Sequence, residues 1–512
     1  MRCAQGLAQT AGARAVMIDG SENHGAGSDE KRVLMIACAF PPTGGAGVQR
    51  TLKFAKYLRH HGWTPIVWSA PFVPHLPLDP SMCYELPSDV EHLTGPTLDP
   101  VGRSEKMFAP AIRRLSRFPR LASKAHGLGR RLGATGRKWL DLAVPDAQFF
   151  WALRSRDRLR RIIRTRRISA IFSSYSPASN HLLASWLKRS TGLPWIADFR
   201  DLWTDDQRYP AGSRLRIALD HRLERRFVRE PDAVTATTTV QRDRLAEKVP
   251  DQREKFHVIS NGVDFEDMDR ASQRATRRDA SERRDTFRLV FAGQFQSTSV
   301  TDDYFGGIGR FLAGDVGRAD RFEFRIVGQV SEALRSAARK HGVHLTTTGY
   351  QPHIDAIREM MDADMLLIPV PLGTNADWCV PAKTYEYLAT GRPILVVGPE
   401  NSMLSRLVTC TQGAAATACR VDAIATTLRE IWMRWQEGGS PTHVDRVALA
   451  PFERKALAGR LADLLDEVTH QPQRVRSADR TTVALAVPRP PAARHMPSTS
   501  VPPVCPPEEI AR

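Results

Sequence analysis

Apolar and polar positions succeed one another along the chain in blocks that predict strands and helices in regular alternation. Residues 32–40 form an apolar run of strand length, and residues 48–58 then carry apolar side chains at helical spacing. The same succession recurs at residues 168–188 and again between residues 287 and 347. Strands that alternate with helices in this way predict parallel sheets with helices on both faces.

The most informative block lies at residues 380–398. Pro381 suits the first turn of a helix, and Gly391 suits its end. Lys383 and Glu386 fall one turn apart near the N-terminus of this predicted helix, where partial positive charge favours a phosphate. The block therefore presents a cation for a diphosphate and a carboxylate for a sugar diol. An ordinary surface ion pair is the alternative that the spacing leaves open.

Glycine-rich turns follow two of the predicted strands at their carboxyl ends. Gly44, Gly45 and Gly47 follow the first strand, and Gly293 ends the strand predicted at residues 287–293. Glycine lets the backbone approach a phosphate or sugar closely, and ligands of open parallel sheets bind at such turns. These four glycines are therefore candidate phosphate- or sugar-binding residues.

The charge of the chain is strongly positive, with a formal net charge of +17. Residues 103–167 hold a dense group of arginines and lysines interleaved with leucine and aromatic residues. Basic amphipathic segments of this kind are typical of anionic membrane surfaces, and a solvated arginine face is the alternative. Nucleic acid also attracts positive charge, but no helix-turn-helix, zinc or RNA-binding signature accompanies these arginines, so we do not expect a nucleic-acid partner.

Cysteine content and hydropathy predict a cytoplasmic protein. The 7 cysteines form no C-x-x-C pair, which indicates a reducing compartment rather than a disulfide framework. The first 31 residues lack the apolar stretch of a secretory signal, and no run reaches the roughly 20 apolar residues of a membrane helix. Through the basic region, the protein would lie peripherally on the inner face of the plasma membrane.

Four strings resemble, in the same order, the motifs of retaining glycosyltransferases of the family-4 type, and of their exopolysaccharide-type members in particular. They are F-P-P-T-G-G-A-G-V-Q-R at 40–50, D-F-R-D-L-W at 198–203, I-S-N-G-V-D at 259–264 and P-A-K-T-Y-E-Y-L-A-T-G-R-P-I-L at 381–395. The resemblance covers residues 31–468. It implies the GT-B fold, in which two Rossmann-like domains with doubly wound parallel sheets face each other across a cleft.

The length of 512 residues exceeds what one hydrophobic core supports and agrees with two domains. The expected division is a disordered N-terminal extension (1–30), an acceptor-side domain (31–266), a linker (267–286), a nucleotide-sugar-binding domain (287–445), a helix that crosses back to the first domain (446–470) and a disordered Pro-rich tail (471–512).

The resemblance implies a metal-independent hexosyltransferase that moves a sugar from a nucleotide diphosphate to an acceptor hydroxyl with retention. The nucleotide sugar is a co-substrate, and no other cofactor is expected. The acceptor would be a glycan or a lipid-linked glycan in cell-surface polysaccharide synthesis. In this scheme Glu386 holds the ribose hydroxyls, Lys383 reaches a phosphate, and Gly293 lines the nucleotide cleft.

The donor-side motif departs from the family at one position. Many members have a glutamate eight residues before the one equivalent to Glu386, and this chain has Trp378 there. The contact to the donor sugar is then missing or supplied by Asp377. This departure keeps two alternatives open, namely a nucleotide-sugar epimerase on the same fold and a catalytically inactive, membrane-docked subunit that binds sugar nucleotides.

The acceptor-side motif departs as well, because Arg200 stands where a histidine is common. Asp198, Arg200 and Asp201 are therefore the candidate catalytic residues near the acceptor hydroxyl. An Arg–Asp bridge that only stabilises the strand end is the alternative for this group.

Overall fold

The structure is a computed structural model. It describes residues 30–71, 73, 76–96, 144–206, 209, 212–273, 285–294, 301–370, 378–399, 402–412, 416–418, 420–438 and 445–470. The predicted N-terminal extension up to residue 29, the predicted tail, residues 103–143 of the basic region, and Asp377 lie outside these ranges.

The first sheet contains seven parallel strands among the described residues, in the order β3-β2-β1-β4-β5-β6-β7. Strand order reverses between β1 and β4, so the carboxyl ends of these two strands frame a crevice of the kind that binds ligands in open sheets. The strands are β1 (Lys31–Ile36), β2 (Trp63–Ser69), β3 (Glu91–Thr94), β4 (Ala170–Tyr175), β5 (Trp195–Phe199), β6 (Ala233–Ala236) and β7 (Phe256–Val258).

Helices cover both faces of this sheet because neighbouring strand residues point to opposite sides. Leu34 packs in one apolar cluster with Trp151 and Leu187, whereas Val33 packs in another with Leu52. The helices of this half are α1 (Ala46–Tyr57), α2 (Phe149–Thr165), α3 (Ser179–Thr191), α4 (Arg214–Arg229) and α5 (Thr239–Glu247).

The second sheet is also parallel and contains six strands within the described ranges, in the order β10-β9-β8-β11-β12-β13. Its order reverses between β8 and β11. The strands are β8 (Phe287–Ala292), β9 (Phe322–Val327), β10 (Leu345–Thr347), β11 (Met365–Pro369), β12 (Ile394–Val397) and β13 (Ala416–Ala418). The remaining helices are α6 (Phe265–Gln273), α7 (Thr301–Leu312), α8 (Val316–Asp320), α9 (Glu332–Lys340), α10 (His353–Met361), α11 (Lys383–Thr390), α12 (Met403–Gln412), α13 (Val421–Gln436), α14 (Arg446–Leu449) and α15 (Arg454–His470).

The expected linker is helical in its first part, which differs from the prediction. Helix α6 includes Asp267 to Gln273, and it buries Met268 and Ala271 against the second sheet's core. Two apolar residues are too few to show a helical period in the sequence, so the pattern does not predict this helix. Asp267 is also buried, because it pairs with a lysine of the first half.

The C-terminal helix α15 lies against the first sheet. Leu457, Leu461 and Leu465 are buried in the same cluster as Leu52 of α1. The described part of the chain thus begins in the first sheet and ends with a helix packed against that sheet. No helix in the described ranges is both long and apolar enough to cross a membrane.

Candidate functional site

The glycine turn after β1 faces the second half of the molecule. Gly45 has a φ of 108°, which favours glycine, and the Gly44 N–H donates to the Pro77 carbonyl at 2.8 Å. A Cβ on Gly44 would overlap the hydroxyl of Tyr350, which follows β10. That hydroxyl donates to Asp79 Oδ2 at 3.1 Å. The predicted donor-side glycines therefore lie where the two halves meet.

Arg200 lies over the first turn of α1. A Cβ on Gly47 would overlap its guanidinium, so only glycine leaves room for this side chain. Arg200 is half-buried, and its Nη2 donates to the Ser176 carbonyl at 3.2 Å. Asp201 is also half-buried. Burial, and after it the charge of Asp201, raises the pKa of Tyr175 at the end of β4. The structure thus brings Gly47, Arg200 and Asp201 to the crevice between β1 and β4.

Asp198 lies deeper than its neighbours and is fully buried in β5. Arg50 of α1 donates to both of its oxygens, at 2.7 Å from Nη2 to Oδ1 and 3.0 Å from Nε to Oδ2. Ser174 and Thr235 donate their hydroxyls at 2.8 and 2.7 Å. Burial alone raises the pKa of Asp198, but Arg50 and the two hydroxyls outweigh it and hold the pKa below its usual value. Asp198 therefore fixes the end of β5, and its ionic partner is Arg50 rather than Arg200.

The end of β8 is shaped by glycine and tied to α11. Gly293 has a φ of 120° and donates its N–H to the Val327 carbonyl at 2.8 Å. The preceding N–H, that of Ala292, donates to the buried hydroxyl of Tyr387 at 2.8 Å. Because Tyr387 belongs to α11, this bond sets the distance between the Gly293 turn and the helix that carries the predicted donor residues.

Lys383 lies directly above that turn. Its Nζ is 3.7 Å from the centroid of the Phe291 ring, and 2.9 Å from where a Cβ on Gly293 would stand. Among the described residues it makes no ion pair. Burial lowers the pKa of Lys383 to about 7, although the charge of Glu386 opposes this. No side chain caps the N-terminus of α11. A half-buried lysine without a carboxylate partner is well placed for an anionic ligand.

Glu386 is one turn further along α11 and is 17% exposed. His353 Nε2 lies 2.8 Å from its Oε1, and Oε2 accepts no hydrogen bond within the described part of the chain. Burial raises the pKa of Glu386, but the nearby His353 outweighs it and lowers the pKa overall. One oxygen of this carboxylate is thus held, and the other is available to a ligand.

A buried ionic cluster joins Glu386 to the first half of the molecule. Lys53 Nζ lies 2.5 Å from both Glu85 Oε2 and Asp267 Oδ2, and 2.7 Å from Asp264 Oδ2. Glu85, Asp267 and His353 are close enough together to serve as metal ligands. The Lys53 ammonium already lies among these carboxylates, so it provides the positive charge that the cluster needs.

His353 and Lys53 were not predicted from the sequence, although a signal existed for both. His353 follows β10 in the chain, and the carboxyl ends of parallel strands are where ligand-binding residues gather. Lys53 shares one face of α1 with Gln49 and Lys56, and all three are buried. Polar residues at helical spacing on a buried helix indicate a polar partner, but the sequence does not say which one.

Trp378, at the position of the family's first glutamate, is completely buried in the core of the first half. Thr238 donates its hydroxyl to the Trp378 carbonyl at 3.2 Å. This residue therefore joins the loop before α11 to the opposite half. A carboxylate in its place would be a buried charge among apolar side chains.

Comparisons with known proteins agree with this architecture. Residues 44–262 match the family model described as "Glycosyl transferase 4-like domain". No curated protein matches the sequence.

Solved structures share the overall fold at low sequence identity. Sucrose-phosphate synthase from Thermosynechococcus elongatus is 12% identical with a TM-score of 0.55, over 86% of this chain and 99% of that one. Trehalose 6-phosphate synthase from Burkholderia multivorans is 12% identical with a TM-score of 0.54, over the same shares. HepE from Anabaena, in complex with UDP and glucose, is 12% identical with a TM-score of 0.51, over 85% of this chain and 100% of that one.

The two parallel sheets and these structural neighbours show the predicted two-domain, Rossmann-like GT-B fold. The match of the first half to a glycosyltransferase domain supports glycosyl transfer from a nucleotide sugar as the activity.

Proposed function

We propose that the protein is a retaining glycosyltransferase that moves a sugar from a nucleotide diphosphate to the hydroxyl of a surface glycan or lipid-linked glycan. The main observation in support of this proposal is that two charged side chains on α11 have unused hydrogen-bonding or ion-pairing capacity. In the described part of the chain, Lys383 lies beside the Gly293 turn and makes no ion pair, and Glu386, one helical turn further along α11, has one oxygen without a partner. A cation and a carboxylate in this state suit a diphosphate and a ribose diol.

On the donor side, Glu386 Oε2 accepts a hydrogen bond from the ribose, since an ionised carboxylate is an acceptor only. Lys383 stabilises the negative charge that grows on the diphosphate as the glycosidic bond breaks. The Gly293 turn lets the diphosphate approach the backbone at the end of β8. In this proposal side chains supply the positive charge, and transfer needs no metal.

On the acceptor side, Arg200 and Asp201 line the crevice at the end of β5. Retention requires the acceptor hydroxyl to arrive on the face from which the diphosphate leaves, so the acceptor must lie close to the donor phosphates. Arg200 over the first turn of α1 is placed to orient such an acceptor. Asp198 supports both residues by holding the end of β5, and its oxygens are already occupied by Arg50, Ser174 and Thr235.

The experiment is a thermal-shift and calorimetric screen against UDP, GDP, ADP, TDP and their common sugar conjugates. The Anabaena neighbour was solved with UDP and with UDP-glucose, so UDP is tested first. A ligand at 100 times its Kd should stabilise the fold by about 2.7 kcal/mol. Glu386→Ala should abolish this stabilisation, and Glu332→Ala on the exposed face of α9 should keep it. Equal binding by both variants would refute the role of Glu386.

The same screen separates the alternative functions. Transfer to an added acceptor supports the proposal, while an epimeric sugar nucleotide without acceptor identifies an epimerase. Binding with neither product identifies an inactive sugar-nucleotide-binding subunit. Trp378 supplies no carboxylate at the position of the family's first glutamate, so the assay decides this last reading, and the packing of the side chain in the first half does not.

We further propose that the first half attaches to an anionic membrane. Helices α2 and α4 belong to the same layer and expose Leu153 and Leu215, which are 41% and 80% exposed. The same two helices expose Arg154, Arg158, Arg161, Arg164, Arg214, Arg222 and Arg225. Leucine beside arginine suits the boundary between lipid headgroups and acyl chains.

Vesicle sedimentation tests this attachment. Vesicles with anionic lipid should bind the protein at low salt, and neutral vesicles should not. Replacing the arginines between Arg154 and Arg167 with glutamine should release it. Binding that persists in high salt would contradict an electrostatic attachment, since salt screens exposed charges.

A further inference from the structure

His353 is the direct partner of the predicted ribose-binding glutamate. It is the first residue of α10, and its Nε2 lies 2.8 Å from Glu386 Oε1. Both side chains are mostly buried, at 16% and 17% exposure. A carboxylate that meets one fixed donor can no longer rotate freely, so the direction of its second oxygen is defined.

His353 is itself held from the opposite side. Its Nδ1 lies 3.6 Å from Oδ2 of Asp267 in α6, and that oxygen lies 2.5 Å from Lys53 Nζ. Lys53 belongs to α1, which follows the glycine turn and whose Gly47 lies against Arg200. The order Glu386–His353–Asp267–Lys53 therefore joins the donor side to the first half through consecutive ionic contacts.

Charged groups surround His353 from four helices and from the short segment Pro80–Glu85, whose Glu85 carboxylate lies within 4.8 Å of the histidine. Glu386 of α11 and Asp267 of α6 favour its protonated form, whereas Lys53 of α1 opposes it. Burial lowers the pKa of His353, but the two carboxylates outweigh burial and raise it to about 9. Arg454 of α15 lines the same small cavity and makes no ion pair with Glu386 within the described residues. At neutral pH the imidazolium carries a proton on both nitrogens, so Nε2 can donate to Glu386, whereas Nδ1 at 3.6 Å makes an ionic contact with Asp267 and no hydrogen bond.

We propose that His353 is a positioning residue that fixes Oε1 of Glu386, so that Oε2 points at the ribose hydroxyls of the nucleotide donor. This inference rests on the proposed ribose contact of Glu386. It predicts that loss of His353 weakens recognition of the ribose specifically, because the charge that binds the diphosphate comes from Lys383 and is untouched.

The test measures recognition of the ribose directly. Calorimetry gives the Kd of the nucleoside diphosphate that binds best among UDP, GDP and ADP, and the Kd of its 2′,3′-dideoxy form. The wild-type protein should prefer the ribose form by about tenfold or more at pH 7.5. The ratio of the two Kd values is the readout, because the ionisation of Lys383 and of the phosphates affects both ligands alike.

In His353→Ala this preference should fall at least about fivefold, while the Kd of the dideoxy form stays the same. His353→Gln keeps an N–H donor and should restore part of the preference. In the wild type the preference should decline as pH rises through about 9, where His353 loses its proton, and His353→Gln should lack this decline. The double variant His353→Ala/Glu386→Gln should lose no more preference than Glu386→Gln alone.

Two results would overturn the inference. If His353→Ala weakens both ligands equally, or keeps the full preference for ribose, the histidine only supports the fold. If Glu386→Gln itself keeps the full preference, the ribose contact of Glu386 is wrong, and the inference fails together with the proposed function. Far-UV circular dichroism of each variant, with His353→Gln as the conservative one, shows that the comparison is made between folded proteins.

Discussion

Two carboxylates of the molecule, those of Asp198 and Glu386, differ in how many of their oxygens are occupied by protein groups, and this difference bears on function. Asp198 in the first half is fully buried, and both of its oxygens accept hydrogen bonds from Arg50 and from hydroxyls at no more than about 3 Å. Glu386 in the second half is 17% exposed and has a partner on one oxygen only, as far as the described residues show. Both stand in motifs that resemble the same family, so the motif alone does not distinguish them.

The difference is one of hydrogen-bond capacity. A carboxylate whose acceptor positions are filled by the protein stabilises the fold, and a ligand gains nothing by approaching it. A carboxylate that is oriented by one partner and open on the other side has already lost rotational freedom before the ligand arrives. On this ground we expect Asp198 to stabilise the fold, and the proposed ligand contact is assigned to Glu386.

The largest effect should come from removing the carboxylate of Asp198, which with Arg50, Ser174 and Thr235 forms what we call the closed site. Asp198→Ala leaves Arg50 buried without its carboxylate, and loss of one partner of a buried pair costs about 3–5 kcal/mol. Urea unfolding should show this loss as a lower midpoint. The matched control is Asp251→Ala, which removes an equally bidentate but exposed pair with Arg229 and should leave the midpoint nearly unchanged.

Retention of the wild-type midpoint in Asp198→Ala would mean that Arg50 finds another partner, and the distinction between closed and open sites would fail. A folded Asp198→Ala variant should bind the nucleoside diphosphate as the wild type does, since Asp198 contacts the second half nowhere among the described residues.

An intermediate effect should come from the pH dependence of ligand affinity at Lys383 and Glu386, which we call the open site. Lys383 has a lowered pKa of about 7 because it is buried, and Glu386 opposes this shift together with Cys379. A bound diphosphate favours the protonated lysine, so the affinity for a nucleotide sugar should be highest below pH 7. It should then fall by about tenfold from pH 6 to pH 8 as the free protein loses this proton. Calorimetry across this range measures the change.

Nucleotide sugars are the suitable ligands for that experiment, because a phosphate monoester titrates near pH 6 and would mask the lysine. Lys383→Arg stays charged and should flatten the profile. Lys340→Arg on the exposed end of α9 should leave it as in the wild type. If Lys383→Arg keeps the wild-type slope, another group binds the diphosphate.

The sequence predicts those residues of the site that lie close together along the chain. Lys383 and Glu386 are three residues apart on one helix, and Gly293 ends a strand whose neighbours are also parallel, so periodicity and topology bring them together. Helix α11 and strand β12 lie close to where the pattern places them. Local signals of this kind are readable without knowing the tertiary structure.

The remaining site residues depend on contacts that no local pattern encodes. Arg50 and Asp198 are 148 residues apart, and Lys53 and Asp267 are 214 apart. A charged residue on a buried helix indicates that a partner exists, but the identity of the partner is decided by how distant helices and strands pack. The sequence likewise marks Trp378 only as the position where the family has a glutamate, and the packing of its side chain into the opposite core is visible only in the structure.

The smallest effect should come from removing a partly exposed hydrogen bond between the two halves. Tyr350 donates its hydroxyl to Asp79 across the two halves at 3.1 Å and is 39% exposed. Tyr350→Phe should cost about 1 kcal/mol of unfolding free energy, because it removes one hydrogen bond from Oδ2 of Asp79 while the Ser81 N–H still donates to Oδ1. Tyr84→Phe, with a side chain that is 90% exposed, should cost nothing measurable in the same urea titration. A loss of unfolding free energy in Tyr350→Phe equal to that in Asp198→Ala would contradict the comparison. A half-exposed hydrogen bond between the halves would then stabilise the fold as much as the fully buried pair of Asp198 with Arg50, and the number of occupied carboxylate oxygens would no longer distinguish a structural acid from a ligand-binding one.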